Sequence, residues 1–249
     1  MMTTTTQAPP LLSVDKLVKT FSGFRALDGV SFHVRQGEVL GLVGPNGSGK
    51  TTCINVITGL YAPDGGTLTF DGRPIGGTSS YKLVRGGINR TFQLPKPFSS
   101  LGVRENVEIA ARYGGRGNPA IDVDAILASV HLDTHARLLA SELNSVQQKM
   151  LDLARALATA PKLLCVDELA AGLNPAELDR IADRLRALAA SGVALVVVEH
   201  LMGFLDRLTD RCVVLNAGRE IFEGPLTAAL KDAKVIEVFL GTKRERTAA

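Results

Sequence analysis

The chain has 249 residues, which is enough for one large domain, or a domain with a subdomain, built around a sizeable core. Hydrophobic residues make up 45% of it, a proportion that argues against a largely disordered chain. The 28 basic and 25 acidic residues give a net charge of +3, so nothing in the charge requires a nucleic-acid partner.

Cysteine usage and hydropathy indicate the redox environment of the chain and its relation to membranes. Cys53, Cys165 and Cys212 lie far apart in apolar stretches without metal-ligand spacing, so we expect small core residues in a reducing compartment. The longest apolar run, residues 193–198, is far shorter than the roughly 20 residues of a membrane span. Residues 1–10 are threonine-rich and lack an apolar core, so we expect a loose tail there and no secretory signal.

The N-terminal part of the sequence predicts short strands and then a strand that enters a glycine-rich loop. Residues 12–34 and 66–71 carry apolar residues between turn signals, which indicates mostly antiparallel strands. Val39–Val43 is a compact apolar run that leads directly into the loop. Helical spacing then predicts a helix over about residues 49–59.

The remainder alternates helices with buried strands. Asn174 is a good N-cap and Pro175 is tolerated at the first helical position, which marks the start of a helix ending near residue 190. The other predicted elements are helices within 104–139, a helix over 147–159, strands at 163–166 and 193–198, and a hairpin of 213–215 with 220–222. This alternation predicts an α/β core with parallel strands.

The glycine-rich loop matches the pattern GxxxxGK[ST] in full. Its glycines let the backbone turn tightly and present bare N–H groups to anionic oxygens, and the following helix points its positive end at them. Lys50 is predicted to reach the β- and γ-phosphates, and the Thr51 hydroxyl to hold Mg²⁺. The predicted ATP-binding residues of this segment are Gly44, Pro45, Asn46, Gly47, Ser48, Gly49, Lys50, Thr51 and Thr52.

Two buried strands end in polar pairs. Residues 163–166 lead into Asp167 and Glu168, and a parallel strand delivers such residues to the ligand crevice of an α/β sheet. With the phosphate loop present, Asp167 is predicted to bind Mg²⁺ and Glu168 to polarise the attacking water. Residues 193–198 lead into Glu199 and His200, and His200 is either a donor to the γ-phosphate or a cap of the next helix.

The order of these motifs resembles the ATP-binding subunit of ABC transporters, from about Leu12 to Gly241. The resemblance implies a P-loop ABC ATPase fold, α/β with an antiparallel β subdomain and a helical subdomain. The domain would span residues 11–241, with the helical subdomain at about 94–150, a disordered tail at 1–10 and another tail at 242–249. It also implies that Phe21 stacks on adenine, that Gln93 contacts Mg²⁺ and water, and that Asn174 lies in the family's D-loop.

Three stretches resemble the subgroup that imports branched-chain and other hydrophobic amino acids: residues 90–93, 170–175 and 235–241. Related amide and urea importers share much of this. Residues 140–142 lack the Gly/Glu-rich motif that is typical of exporters, which favours an importer.

The sequence departs from the family at the signature, usually LSGGQ. The aligned trans-ATP contacts are Asn144, Ser145, Val146 and Gln147. Val146 replaces a glycine where backbone N–H groups approach the partner's phosphate, and a β-branched residue adds bulk and restricts the backbone there. We therefore expect a heterodimer with one competent and one weak ATP site. Two alternatives stay open: the loop tolerates Val146, or the chain forms a homodimer. Leu169 also replaces the family's usual proline.

The function implied by the resemblance is an ATP-hydrolysing subunit, using ATP and Mg²⁺, that energises an importer. Its expected partners are separate integral membrane permeases, a second ABC ATPase subunit and, indirectly, an extracytoplasmic substrate-binding protein. It would lie peripherally on the cytoplasmic face of the cell membrane and bind no nucleic acid. Two alternatives stay open: a soluble ABC ATPase without a membrane partner, and a small-molecule P-loop kinase, which would need acceptor-site and lid residues instead of Gln93 and His200.

Overall fold

The computed structural model describes residues 9–115 and 121–240. Residues 1–8 of the predicted N-terminal tail, and all of the predicted tail 242–249, lie outside this part. The described strands are β1 (Leu12–Phe21), β2 (Phe24–Val34), β3 (Val39–Val43), β4 (Gly65–Phe70), β5 (Arg73–Pro74), β6 (Ile88–Arg90), β7 (Leu163–Asp167), β8 (Ala194–Val198), β9 (Arg211–Asn216) and β10 (Arg219–Gly224).

The described helices surround these strands. They are α1 (Lys50–Ile57), α2 (Ser80–Gly86), α3 (Val103–Tyr113), α4 (Val123–Ser129), α5 (Ser145–Leu157), α6 (Pro175–Ala190), α7 (Met202–Leu208), α8 (Leu226–Ala229) and α9 (Ala233–Leu240), with short 3-10 helices at Asp133–His135 and Ala140–Glu142. No helix in the described ranges is both long enough and apolar enough to span a membrane.

A six-stranded sheet forms the centre, with the strand order β10-β9-β3-β8-β7-β6. All neighbours pair in parallel except β10, which forms the predicted hairpin with β9. Every residue of β3, β7 and β8 is buried, as apolar runs in a sheet covered on both faces require. Since β8 lies between β3 and β7, the ends of these three strands meet at one edge of the sheet.

Successive side chains of these strands point to opposite faces of the sheet and pack in two separate hydrophobic cores. Leu164 and Val166 pack with α5 and α6 on one face. Leu163 and Cys165 pack on the other face with α1 and the second sheet. The predicted α/β fold with parallel strands is confirmed.

The second sheet is antiparallel, with the order β2-β1-β4-β5. β1 and β2 are joined by a two-residue turn, in which Ser22 and Gly23 have φ of 45° and 86°. These positive angles suit a type I′ hairpin turn, which pairs Phe21 directly with Phe24. The predicted antiparallel strands are therefore present, and their first turn carries two aromatic residues.

The helical segment between β6 and β7 contains α3, α4 and the start of α5. Asn144 caps α5 reciprocally with Gln147: its Oδ1 accepts from the Gln147 N–H at 2.9 Å, and its own N–H donates to Gln147 Oε1 at 3.0 Å. Helix α5 continues seven residues beyond residue 150, where the predicted helical subdomain ends. That subdomain boundary stays a prediction.

Candidate active site

The phosphate loop follows β3 and closes against the β9 turn. Gly44 has φ of 150°, and a Cβ there would lie 2.2 Å from the Leu215 carbonyl oxygen. Gly49 has φ of 107°, and its Cβ would lie 2.6 Å from the Ala26 carbonyl oxygen. Only glycine fits these two positions, so the loop is held close to its neighbours before α1 begins at Lys50.

Lys50 is buried at the base of this loop, only 6% exposed. Its Nζ donates hydrogen bonds to the Gly44 and Pro45 carbonyl oxygens, each at 2.8 Å. Burial lowers the pKa of Lys50, and the nearby carboxylates of Glu168 and Asp167 act in the opposite direction. The loop thus keeps one ammonium group beside its own backbone, facing two acidic residues.

Asp167 ends β7 and is 2% exposed. Its Oδ2 lies 3.4 Å from the Arg90 guanidinium, and its N–H donates to Thr91 Oγ1 at 3.2 Å. Its other carboxylate oxygen, Oδ1, is buried without a hydrogen-bond partner among the described residues. Burial raises the pKa of Asp167, while Arg90 opposes the rise. A buried, unpartnered carboxylate oxygen needs a ligand, and a cation or its water would satisfy it.

Glu168 brings together the three residues for which the sequence predicted catalytic roles. Gln93 Nε2 donates to Glu168 Oε2 at 2.5 Å, and His200 Nε2 lies 3.1 Å from Glu168 Oε1. Glu168 has φ of 49°, a left-handed conformation that costs a non-glycine residue energy and is enriched at functional sites. His200 does not cap α7, whose N-cap is Leu201.

A pocket of about 380 Å³ links the phosphate loop to the first hairpin. Phe21 lies at its rim, 38% exposed, with its ring 5.1 Å from that of Tyr61 at an interplanar angle of 74°. Phe24 lines the same pocket and is 66% exposed, a residue that the sequence reasoning missed. The turn at residues 22–23 was the available signal, because it pairs the two rings. The remaining lining residues are Ala26, Asn46, Gly47, Gly49, Lys50, Thr51, Thr52, Glu168 and His200.

The signature residues lie elsewhere. Asn144, Ser145, Val146 and Gln147 line a second pocket of about 390 Å³ together with Asn174. Within the described ranges, this pocket shares no lining residue with the pocket of Lys50 and Glu168. The chain therefore carries two separate surfaces, one with the phosphate loop and one with the signature segment.

Other residues that support the site were given no role of their own from the sequence. Arg90 pairs with Asp167 and also bonds Asn55 on α1. Glu199 is 3% exposed, accepts from the Ala170 N–H at 2.7 Å, and has its pKa raised by burial to about 7. Lys149 bonds the backbone of Glu168. Arg90 lies in the stretch 90–93, but no motif marks the supporting role of any of these residues, since each acts on a partner far away in the chain.

The predicted metal ligands are Thr51, Gln93 and Asp167. Across residues 9–115 and 121–240, no group of three or more His, Cys, Asp or Glu side chains could hold a metal by itself. Ser48 at the loop and Asp167 at the strand end nevertheless each have a buried side-chain oxygen without a partner in the part of the chain that the structure describes. Beside phosphates, Mg²⁺ binds to few protein oxygens, and the substrate and water complete its coordination shell. One carboxylate together with hydroxyl groups fits this kind of site.

A phosphate loop on one parallel strand and paired carboxylates on another define a P-loop ATPase. The family model described as ABC transporter matches residues 27–171, which run from β2 to the loop after Glu168. The chain belongs to the ABC transporter family, as its motifs predicted, and it is an ATP-binding, ATP-hydrolysing subunit of that family.

Relatives extend the match to nearly the whole chain. A probable branched-chain amino acid transport ATP-binding protein of Archaeoglobus fulgidus is 35% identical, over 94% of this chain and 96% of the relative. A Nod factor export ATP-binding protein of Paraburkholderia xenovorans is 36% identical, over 92% of this chain and 76% of the relative. A crystal structure of an ATP-binding cassette of an ABC transporter in its ADP conformation is 33% identical with a TM-score of 0.83, covering 94% of this chain and all of the other.

Proposed function

We propose that this subunit hydrolyses ATP at Glu168 to energise import of branched-chain or other hydrophobic amino acids, or of related amides or urea. The observation that carries the hydrolytic role is the convergence of Gln93 and His200 on the Glu168 carboxylate. The import role is supported by residues 90–93, 170–175 and 235–241, which resemble that subgroup, and by the name of the Archaeoglobus relative.

The proposed roles follow the geometry. Residues 44–51 cradle the phosphates with backbone N–H groups, and Lys50 turns from the loop carbonyls to the β- and γ-phosphates. Glu168 orients the attacking water, and His200 donates to the γ-phosphate. Thr51, Gln93 and Asp167 would hold Mg²⁺, which supplies charge neutralisation on the phosphate oxygens when it is bound. Phe21 stacks on adenine.

A second ATPase subunit completes each site. Within the described ranges, the signature pocket and the phosphate-loop pocket have no lining residue in common, which favours a site in which one nucleotide contacts the phosphate loop of one chain and the signature of another. Val146 makes the signature of this chain a poor partner for the opposing phosphate, which favours a heterodimer with one competent and one weak site. Separate permease subunits in the membrane, and a binding protein on its outer side, complete the proposed importer.

The hydrolytic proposal is tested by substitutions in the purified complex. Glu168→Gln keeps the size and shape of the side chain but removes the base, so kcat should fall by about 10²- to 10⁴-fold. Val146→Gly should leave the main turnover nearly unchanged, because the competent site uses the signature of the other subunit. Near-wild-type turnover in Glu168→Gln would refute the assignment, and a large change in Val146→Gly would refute the asymmetry.

The transport proposal is tested by an affinity pull-down of the tagged chain from mildly solubilised native membranes, with mass spectrometry of the bound chains. Recovery of membrane subunits, a second ATPase and a substrate-binding protein supports the importer. Membrane subunits without a binding protein would point to export, the activity in the name of the Paraburkholderia relative. Recovery of this chain alone would make it a soluble ABC ATPase.

A further inference from the structure

Helix α5, which begins at the signature segment, also contacts the backbone of Glu168. Lys149, in the second turn of α5, is half-buried. Its Nζ donates to the Glu168 carbonyl oxygen at 2.9 Å and to the Ala171 carbonyl oxygen at 2.8 Å. One ammonium group thus spans the turn that follows β7. This turn contains the left-handed Glu168, a conformation that persists only where surrounding contacts hold it.

The same helix face holds the loop of Gln93. Asp152 lies three residues after Lys149, which places both side chains on one side of α5. Asp152 is 6% exposed, and its Oδ2 accepts from the Phe92 N–H at 2.7 Å. The Gln93 side chain in turn bonds Glu168 at 2.5 Å. These contacts form a closed ring that runs from α5 through Lys149 to Glu168 and returns through Gln93 and Asp152.

A further contact on α5 strengthens the second half of this ring. Arg155 lies beside Asp152, with a nitrogen–oxygen distance of 3.6 Å, and donates to the Lys96 carbonyl oxygen at 3.1 Å. Its guanidinium also lies over the Phe98 ring, 5.3 Å from the centroid. Both ends of the segment from Phe92 to Phe98 are therefore attached to α5.

We propose that Lys149 is a positioning residue that keeps Glu168 in its working orientation from the signature helix. It holds the Glu168 backbone in the left-handed conformation, and together with Asp152 it fixes the Glu168 side chain against Gln93. A movement of the signature segment is thereby passed to the residue that orients water. The inference rests on the proposed catalytic role of Glu168.

Three variants of the full chain, assayed in its complex, test this role. Lys149→Met keeps the chain length but removes the donor, and misplacement of Glu168 should lower kcat by about 10- to 100-fold. The KM for ATP should change by less than about twofold, because no group that binds ATP is removed. Lys149→Arg, which keeps a donor that can span two carbonyl oxygens, should recover most of the activity. Lys162→Met is the matched control, since Lys162 pairs with Asp71 away from the site.

A double-substitution cycle separates positioning from general structural loss. If Lys149 acts through the contact of Glu168 with Gln93, then Lys149→Met combined with Gln93→Ala should lower kcat by less than the product of the single effects. If the two substitutions lower kcat by the full product of their single effects, the proposed ring of contacts would be contradicted. So would an unchanged kcat in Lys149→Met, or a fall that appears equally in Lys162→Met and follows a lower melting temperature.

Hydrogen exchange provides a readout that does not depend on turnover. The Glu168 N–H bonds the Val198 carbonyl oxygen and the Ala170 N–H bonds Glu199, so both amides are protected when this turn is held. Lys149→Met should speed exchange in a peptide spanning residues 167–172, with an unchanged melting temperature. Unchanged exchange would overturn the inference. If the wild-type complex shows no ATPase, the proposed function fails, and the exchange rates still decide whether Lys149 holds Glu168.

Discussion

Removal of the Phe21 ring should weaken ATP binding only because the stacking contact with the adenine base is lost. Loss of base–aromatic stacking costs about 1–3 kcal/mol, which corresponds to a Kd roughly 5- to 150-fold higher. In this structure the Phe21 ring is already held by the edge of Tyr61 and by Lys19, whose Nζ is 5.3 Å from the ring centroid. A ring that is already ordered loses little side-chain entropy when a base stacks on it, so we expect about 10-fold weakening for Phe21→Ala.

Phe24 provides the internal comparison. It lines the same pocket and pairs with Phe21 across the turn, but its side chain is 66% exposed and makes no ring contact within the described residues. Immobilising such a side chain costs about 0.5–1.5 kcal/mol, which offsets much of any stacking gain. Phe24→Ala should therefore weaken ATP binding less than Phe21→Ala does. Tyr61→Ala should fall between them, because it frees the Phe21 ring.

Calorimetric titration with ATP and with inorganic triphosphate separates the base from the phosphates. Phe21→Ala should weaken ATP and leave triphosphate unchanged, because triphosphate carries no base. Tyr81→Ala is the matched control: Tyr81 is 60% exposed and lies under the Arg85 guanidinium at 4.5 Å, away from the pocket. Equal weakening of both ligands by Phe21→Ala, or no weakening of ATP, would refute the stacking argument.

Three further predictions concern the core, pH and the loop. Leu195→Ala in the buried central strand should lower the free energy of unfolding by about 2–5 kcal/mol in urea titrations, whereas Leu60→Ala, at a side chain that is 55% exposed, should change it little. The pKa of Glu199 is raised from 4.5 to about 7, so the folded state holds this proton more tightly than the unfolded state. The resulting stabilisation, up to ~3 kcal/mol, is fully present below pH 4.5 and is lost as the pH rises to 7. Glu199→Gln should reduce this dependence of the melting temperature on pH. Gly44→Ala, whose Cβ would lie 2.2 Å from a carbonyl oxygen, should abolish ATP binding in calorimetry. Gly47→Ala should only weaken it, because among the described residues only the chain neighbours of Gly47 come within 4 Å of the added Cβ.

The parts of the fold that the sequence predicted are those encoded locally. The strand before the phosphate loop, the helix after it and the buried run at Ala194–Val198 each combine composition, length and a boundary signal within a few residues. Asn174 was predicted as a cap for the same reason, and its Oδ1 accepts from the Glu177 N–H at 3.0 Å. The order of these local motifs predicted the family, and the family model that matches residues 27–171 confirms it.

Short elements without such signals were missed. Strand β6 has three residues, and α2 and α7 have seven each, too few for a periodic pattern to stand out. Their formation depends on the sheet and on the helices that already flank them, because isolated helices of this length are marginal in water. β6 pairs with β7 along Ile88 to Arg90, so its register follows from a strand more than seventy residues later.

The same distinction divides the residues of the site. A residue that binds phosphate or caps a helix can be recognised from its neighbours in the sequence, because its partner is either the phosphate itself or an amide three residues away. Lys149 and Arg90 act on carboxylates and carbonyls that are 19 and 77 residues away, and no spacing rule links them before the chain has folded. The acidic strand end supplied Glu168, and the family resemblance supplied Gln93 as a contact of Mg²⁺ and water, but nothing in the sequence predicted the contact between these two side chains. Its support by α5 had no counterpart in a motif, which is why substitutions on α5 must separate the local cap at Asn144 from the long-range contact at Lys149. The first alters where the helix begins, and the second, on the proposed role of Lys149, alters where the Glu168 carboxylate points.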